Sequence, residues 1–376
     1  MRALRLALAA TLAAAPAAAA QDSVFGIRGL GFLDRTVSAR SAGEGGGFAL
    51  FDGASALNPA ALAAWRGTVG WAVAAGSSHS FDAGSGPTTL SATRFPVIGF
   101  AGQIGARWVV GATVTDFLDR NWSVAQTDTV APRGTPVVAQ DETRSVGGVS
   151  DVRIAVAYRS AAFTMGVGLH ALTGNTQTTV TRTFPNDSSY HAFIQNQQTT
   201  YRGVGLSLGF LAHPFHSLVL GGSARVNGRL RASSPDSATT VGMPVELDGG
   251  ATLQVVTGLQ VSGAVGYATW GAAADALVAA GQERSRDVWS AGVGLEVSAL
   301  HFGEGPLGLR AGYRWRQLPF PVVGNPLAEH AVSGGLGFDT AGGRATVDAA
   351  VEFGSRKAGA LSETFTTAYV GLTIRP

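Results

Sequence analysis

From about residue 67 onward, apolar side chains recur at every second position over stretches of nine residues or more. In "FTMGVGLHA", Phe163, Met165, Val167, Leu169 and Ala171 share one face, while Thr164, Gly166, Gly168 and His170 take the other. "LGLRAGYRW" sets Leu307, Leu309, Ala311, Tyr313 and Trp315 against Gly308, Arg310, Gly312 and Arg314. "ATVDAAVEF" sets Ala345, Val347, Ala349, Val351 and Phe353 against Thr346, Asp348, Ala350 and Glu352. A period of two means strand, because successive side chains leave a pleated chain on opposite sides. Strands of a soluble sandwich are usually nearer five or six residues. Segments of about ten, with one greasy face and one face of Gly, Ser, Thr, Arg, Asp and Glu, fit lipid outside and a polar lumen inside. The fold class is therefore all-β: a transmembrane antiparallel β-barrel.

The links between segments alternate in length. Short ones fall at 102–106, 160–162, 212–216, 256–258, 301–306 and 340–343, and longer polar ones near 126–145, 182–192, 232–239, 271–286, 317–328 and 355–362. Short periplasmic turns and longer outer loops are the habit of such barrels. The pattern predicts about 14 strands, an even number that brings the C-terminus back to the side it started from. They run at about 68–81, 89–101, 106–124, 145–159, 163–181, 192–211, 217–231, 240–254, 259–270, 287–300, 307–316, 329–339, 344–354 and 363–375. "AAADALVAAGQ" (272–282) breaks the alternation and predicts a short helix in an outer loop. Trp108, Trp122, Trp270, Trp289, Tyr313 and Trp315 lie near strand ends, as an interfacial aromatic girdle requires.

Composition agrees. Charged residues make up 14%, against about 25% in an ordinary domain. Outside the first residues no window of 18 consecutive apolar residues appears, so helical spans are not expected. There is no cysteine, hence no disulfide frame and no thiolate metal site. "MRALRLALAATLAAAPAAAAQDS" carries Arg2 and Arg5, an apolar core and an A-x-A site before Gln21, which marks residues 1–20 as a secretory signal peptide. Losing Arg2 and Arg5 takes the 27 basic residues to 25, equal to the 25 acidic ones. A neutral chain with no basic run offers no footprint for nucleic acid.

Residues 21–66 precede the first strand, and the barrel occupies 67–376. "RSAGEGGGFALFDGASALNPAAL" (40–62) is too rich in glycine for a regular helix and too apolar for a solvated linker. A barrel of about 14 strands is too wide for its own side chains to fill. This leading piece is long enough to fold inward as a plug, with Phe48, Phe51 and Leu57 packing in the lumen or touching a ligand.

The same stretch resembles the N-terminal hatch of the FadL family of outer-membrane transporters and their PorV-like relatives. Gly43, Gly45, Gly46, Gly47 and Phe48 match a glycine-rich run of that family, with Glu44 where Met is common. Asp52, Ala54, Ser55, Ala56, Asn58, Pro59 and Ala60 match a second run. The segments 243–270, 309–320 and 330–338 are weaker echoes of its strands, and the Arg375–Pro376 ending departs from the aromatic end common in barrels. The resemblance implies a hatch-gated outer-membrane channel, embedded in lipid, for passive uptake of long-chain fatty acids or other hydrophobic compounds such as aromatics. It makes Gly45, Gly46, Gly47, Phe48, Phe51, Asp52, Leu57, Asn58 and Pro59 the hatch and substrate residues. A PorV-like role, docking secretion or surface-attachment machinery without transport, is the alternative.

Several motifs point elsewhere and are set aside. "GLSLG" (205–209) matches G-x-S-x-G with Ser207 as nucleophile, but the elbow needs a strand-to-helix turn and Ser207 sits within an alternating strand. No enzyme is expected. His213 and His216 occupy a predicted turn with no third ligand nearby, so no metal site is expected. The glycine-rich stretch lacks the Lys-Ser/Thr of a phosphate loop, and no cofactor is expected. Arg225, Glu296, Arg310, Arg314, Asp348 and Glu352 fall on the lumen face, as ion pairs that brace the barrel or dock the plug, or as charges that shape selectivity.

Overall fold

The computed structural model of the chain describes residues 23–33, 37–82, 87–131, 134–186, 189–235, 237–302, 305–359 and 361–376. The leader expected at 1–20 lies outside them. The wall is a closed antiparallel barrel of 14 strands. Its first half comprises β1 (Thr68–Asp82), β2 (Pro87–Ile104), β3 (Trp108–Asp119, resumed as Trp122–Val130), β4 (Val137–Arg159), β5 (Phe163–Thr183) and β6 (Phe193–Phe215). There follow β7 (Leu218–Asn227, resumed as Arg229–Ser233), β8 (Ala238–Gly242, resumed as Val245–Val256), β9 (Leu259–Ala268) and β10 (Val288–Phe302). The last four are β11 (Gly305–Val322), β12 (Asn325–Thr340), β13 (Ala345–Ala358) and β14 (Leu361–Ile374). β14 pairs with β1 from Ile374↔Gly70 to Ser362↔Asp82, which closes the ring.

The two faces obey the sequence pattern. Leu169 is 64% exposed, while Gly168 and His170 on either side of it are buried. Ile154, Leu208, Val265, Val293, Phe353 and Val370 stand outward on other strands in the same way. Such a belt is unfavourable in water and favourable in lipid, where every amide must find its partner within the sheet.

Strands run farther than the alternation showed. β3 and β4 stay paired out to Val130↔Val137, so much of the link expected at 126–145 is strand, while β4 and β5 pair to Gln140↔Thr183 and take only the first two residues of the link at 182–192. Beyond the lipid both faces meet water, and a strand there needs no apolar side. The link expected at 317–328 reduces to a tight turn at Val323–Gly324, both at positive φ. That at 355–362 likewise shrinks to the turn beyond Ala358↔Leu361. His213 lies on β6, and the turn itself is His216–Ser217.

The helix expected at 272–282 is present as a 3-10 turn, Trp270–Ala273, running into Ala274–Ala279. Trp270 does not join the outer girdle. It is buried edge-on to Phe320 at 5.4 Å, in a cluster with Met243, Leu277 and Val288 that closes the mouth. Trp108 and Trp289 do stand on the outside, beside Tyr158 and Tyr267 at 4.9 and 4.7 Å.

One seam interrupts the wall. β2 and β3 pair only from Ile104↔Trp108 to Val97↔Thr115. Past that point β2 carries Pro96, which has no N–H to give, and β3 bulges at Phe117. The freed edge of β3 is taken by a two-residue strand from the N-terminal segment, with Phe32↔Asp119 and Leu33↔Leu118. An Arg94–Asp119 ion pair crosses the same gap.

A charge on the outer belt tests the embedding. Leu169→Arg is expected to lower folding stability in lipid by about 2–4 kcal/mol, read from denaturant titration of the heat-sensitive gel mobility. A loss near zero would mean that this face is not in hydrocarbon.

Candidate ligand channel and plug

Residues 37–66 fill the lumen, and local hydrogen bonds give them a shape of their own. Ser38 accepts from Ser41 N at 3.0 Å and so starts the one-turn helix α1 (Ala39–Gly43). Asp52 gathers the segment: Oδ2 accepts from Ser41 Oγ at 2.9 Å and from the Ser38 hydroxyl, and Oδ1 accepts from Ala54 N at 2.9 Å. Asn58 caps the 3-10 helix Pro59–Ala64 by accepting from Ala60 N at 2.9 Å. Its Nδ2 donates to Leu50 O at 3.0 Å and to Phe210 O of β6 at 3.3 Å. The polar atoms of Asp52 and Asn58 are thus engaged in holding the plug together and to the wall.

Plug and wall meet on bare backbone. A Cβ built on Gly294 would stand 2.5 Å from Glu44 Cβ, one on Gly292 2.5 Å from Gly45 O, and one on Gly312 within the Glu44–Gly45 backbone. On the plug side Gly45, at φ +62°, leaves 2.6 Å between a Cβ and Tyr313 N, and Gly47 leaves 3.0 Å to Gly294 N. Opposite, Gly166 and Gly209 admit Pro59–Ala60 and Asn58.

Charges secure the contact. Arg40 forks onto Glu296 at 2.9 and 3.0 Å, and Arg310 shares that carboxylate at 2.6 Å while also reaching Asp348 at 2.6 Å. A second network holds Glu329 between Arg314, Arg316 and Arg356, and joins Arg314 to Glu352. Arg356 continues to Glu363, which accepts from Ser23 Oγ at 2.9 Å and meets His79 at 3.0 Å. Phe32, the residue at the seam, lies under the guanidinium groups of Arg356 and Arg316 at 4.3 and 5.3 Å. Arg225 stands apart from both networks and pairs with Asp151 at 2.9 Å. The alternation marks Arg225, Glu296, Arg310, Arg314, Asp348 and Glu352 as inward, but their partnerships depend on strand register, which it does not encode.

Two cavities flank the plug. One of about 240 Å³, toward the extended ends of the strands, is lined by Leu33, Leu57, Phe117, Trp270, Val288 and Leu318, with Gly45 and Gly46 also at its edge. The other, of about 290 Å³, opens toward the short turns between Phe48, Phe51, Trp65 and Arg310. Arg40 lies over the Phe48 ring at 4.2 Å, and the Phe48 and Phe51 rings are 6.1 Å apart. The expected plug residues therefore divide: Leu57 faces one cavity, Phe48 and Phe51 the other. No cluster of His, Cys, Asp and Glu suited to a metal ion occurs among the described residues.

No protein-family model and no curated protein sequence matches the chain. Solved structures do. A FadL homologue of Pseudomonas aeruginosa superposes with a TM-score of 0.59 at 12% identity, over 91% of this chain and 99% of that one. The CymD monoaromatic hydrocarbon channel gives 0.57 at 14%, over 95% and 99%. The Pseudomonas putida toluene transporter TodX gives 0.57 at 16%, over 91% and 98%. The chain has the fold of these channels.

Glu44 makes the docking sensitive to pH. It is buried in the plug, with Oε2 accepting from Ser262 Oγ at 2.8 Å, Oε1 without a hydrogen-bond partner, and Arg40 Nε 3.7 Å away. Burial pushes its carboxyl from an ordinary 4.5 up to about 7, against the pull of Arg40. The docked state holds this proton more tightly than the unfolded chain, so the contribution is full below 4.5 and is lost as the pH rises through about 7. Thermal stability measured across that window is expected to fall in the wild type and to fall less steeply in Glu44→Gln. Gly312→Leu is expected to unseat the plug and raise single-channel conductance in planar bilayers; wild-type conductance would mean the plug does not rest on β11.

Proposed function

We propose that the protein is a passive channel of the outer membrane for hydrophobic compounds, gated by its N-terminal plug. The observation that carries this reading is the largely apolar cavity between plug and mouth. At about 240 Å³ it exceeds the volume of roughly 150 Å³ that admits a benzene ring to a protein interior. Each Å² of apolar solute surface covered there contributes ~25 cal/mol toward removing the solute from water. Arg314 and Arg316 also border the space, but both are paired with Glu329. A free carboxylate would have to compete for them. The cavity therefore suits neutral molecules the size of one aromatic ring or a short alkyl chain better than a fatty acid, and CymD, a monoaromatic hydrocarbon channel, and TodX, a toluene transporter, serve compounds of the former kind.

The plug supplies the gate on this reading. Leu33 and Phe117 line the cavity and also flank the seam, so releasing the Phe32–Leu33 strand from β3 opens a lateral way to lipid. A shift of Phe48 and Phe51 opens the cavity on the short-turn side, toward the periplasm. Movement down a gradient needs no nucleotide and no covalent step.

Titration of the refolded barrel with toluene, followed by tryptophan fluorescence, is expected to show saturable binding. Phe117→Ala is expected to weaken it by about tenfold, equivalent to roughly 1.4 kcal/mol. If neither toluene nor a long-chain fatty acid binds saturably, the channel reading fails.

A further inference from the structure

Three lumen-facing side chains from adjacent strands stand in a relay that transport does not use. Asp151 of β4, His170 of β5 and Ser207 of β6 are 2%, 4% and 2% exposed. His170 Nδ1 lies 2.8 Å from Asp151 Oδ2 and 3.1 Å from Oδ1, and His170 Nε2 lies 2.8 Å from Ser207 Oγ. An ionised carboxylate only accepts, so Nδ1 carries the ring proton and Nε2 is left to accept the Ser207 hydroxyl hydrogen. That is the connectivity of a nucleophile, its base and the carboxylate that holds the base. Register brings it about: Gly168 pairs with Ser207 and Arg153 with His170, which sets the three one diagonal step apart.

The surroundings go beyond a chance hydrogen bond. Arg225 Nη1 fixes Asp151 at 2.9 Å, and its Nε is held by Asn227 Oδ1 at 2.6 Å. Ser207 faces bare backbone, since a Cβ on Gly168 would stand 2.6 Å from Ser207 Oγ and 3.2 Å from Arg153 Cδ. Arg153 donates through Nε to Thr113 Oγ1 at 3.2 Å and through Nη1 to Ala56 O at 2.8 Å, which leaves buried Nη2 without a partner. Strand amides beside Ser207 are committed to the sheet, so the unpartnered Nη2 atoms of Arg153 and Arg225 are the donors left for a developing oxyanion. The G-x-S-x-G spacing has a use here without an elbow. Gly205 makes room beside Asn227 and His170, and Gly209 makes room for Asn58 and Pro59 of the plug.

We propose that Ser207 is an acyl-accepting nucleophile, with His170 as general base and Asp151 as the carboxylate that positions it. Its substrates are small, neutral carboxylic esters that reach the lumen. Arg225 joins this cluster to the cavity, since it holds Asp151 and borders the same space as Leu57 and Phe117, whose apolar side chains favour small apolar acyl and alkyl groups. Ser207 Oγ bonds to the ester carbonyl carbon, its proton passes to His170 Nε2, and the carbonyl π pair moves to oxygen. Collapse breaks the bond to the alkoxy group, which leaves as the alcohol with the proton from Nε2. Water then repeats the sequence and releases the carboxylic acid. Plug residues Ala56, Asn58 and Pro59 rest on Arg153 and on β6 beside Ser207, so access to the site requires that edge of the plug to lift.

The test is active-site labelling of the refolded full chain with an alkyl fluorophosphonate, with the adduct located by mass spectrometry. Expected is one adduct, on Ser207, formed slowly in the wild type and about tenfold faster in Asn58→Ala, which loosens the plug over β6. Ser207→Ala gives none, and His170→Gln slows labelling by about a hundredfold or more. The rate falls as the solution is made acid, because a protonated imidazole can no longer take the Ser207 proton. Hydrolysis of p-nitrophenyl butyrate follows the same order. No Ser207 adduct in either the wild type or Asn58→Ala, or a rate indifferent both to His170→Gln and to pH, overturns the proposal. Heat-shifted gel mobility confirms that each variant is folded, and toluene binding is scored separately, so the two readings fail independently.

Discussion

Within hydrocarbon an amide has no water to turn to, and the pairing of β14 with β1 is what lets this chain exist there. Once the ring is closed, the rest follows in order. Closure at this strand number leaves an interior wider than the wall's own side chains can fill. Left empty it would be a water-filled pore, and the segment before β1 occupies it. Because that segment approaches backbone to backbone, glycine is required on both sides of the contact, and it is found on both.

The polar interior carries charge in matched sets. Glu329 sits among Arg314, Arg316 and Arg356, and Glu296 is shared by Arg310 of the wall and Arg40 of the plug. Removing one member of a buried set strands its partners, typically at about 3–5 kcal/mol. The arrangement therefore enforces one register more than it adds net stability. The same network reaches the seam. Phe32 lies against Arg356 and Arg316, and Arg316 donates to Leu33 O at 3.3 Å. The strand that closes the gap between β2 and β3 is held by the same residues that brace β11, β12 and β13, so opening the wall and disturbing the lumen network are one event.

How much of this could be read from the chain differs by level. Each of the 14 wall strands was visible, because lipid on one side and a polar lumen on the other impose alternation. Their outer ends were not, because past the lipid the alternation has no cause; the 126–145 and 317–328 regions read as loops for that reason. Trp270 carries the composition of a girdle residue and is buried under the mouth, a position set by the helix after it and by Phe320. Inward-facing charges such as Arg310 and Asp348 were recognisable singly. Their partners depend on cross-strand register, which is why Glu329, Arg356 and Asp151 escaped notice. Ser207 was conspicuous through its glycines, yet His170 and Asp151 become its neighbours only when β4, β5 and β6 are laid side by side.

The contact between Gly45–Gly47 and the glycines of β10 and β11 differs from most buried interfaces. Ordinary packing interlocks knobs with holes, and parting two such surfaces means lifting every knob clear at once. Here there is little to lift. Two smooth strips of main chain lie face to face, restrained at the margin by the Arg40–Glu296 fork. On the gating proposed above, such a surface would let the plug part from the wall without withdrawing interlocked side chains, once the Arg40–Glu296 fork lets go.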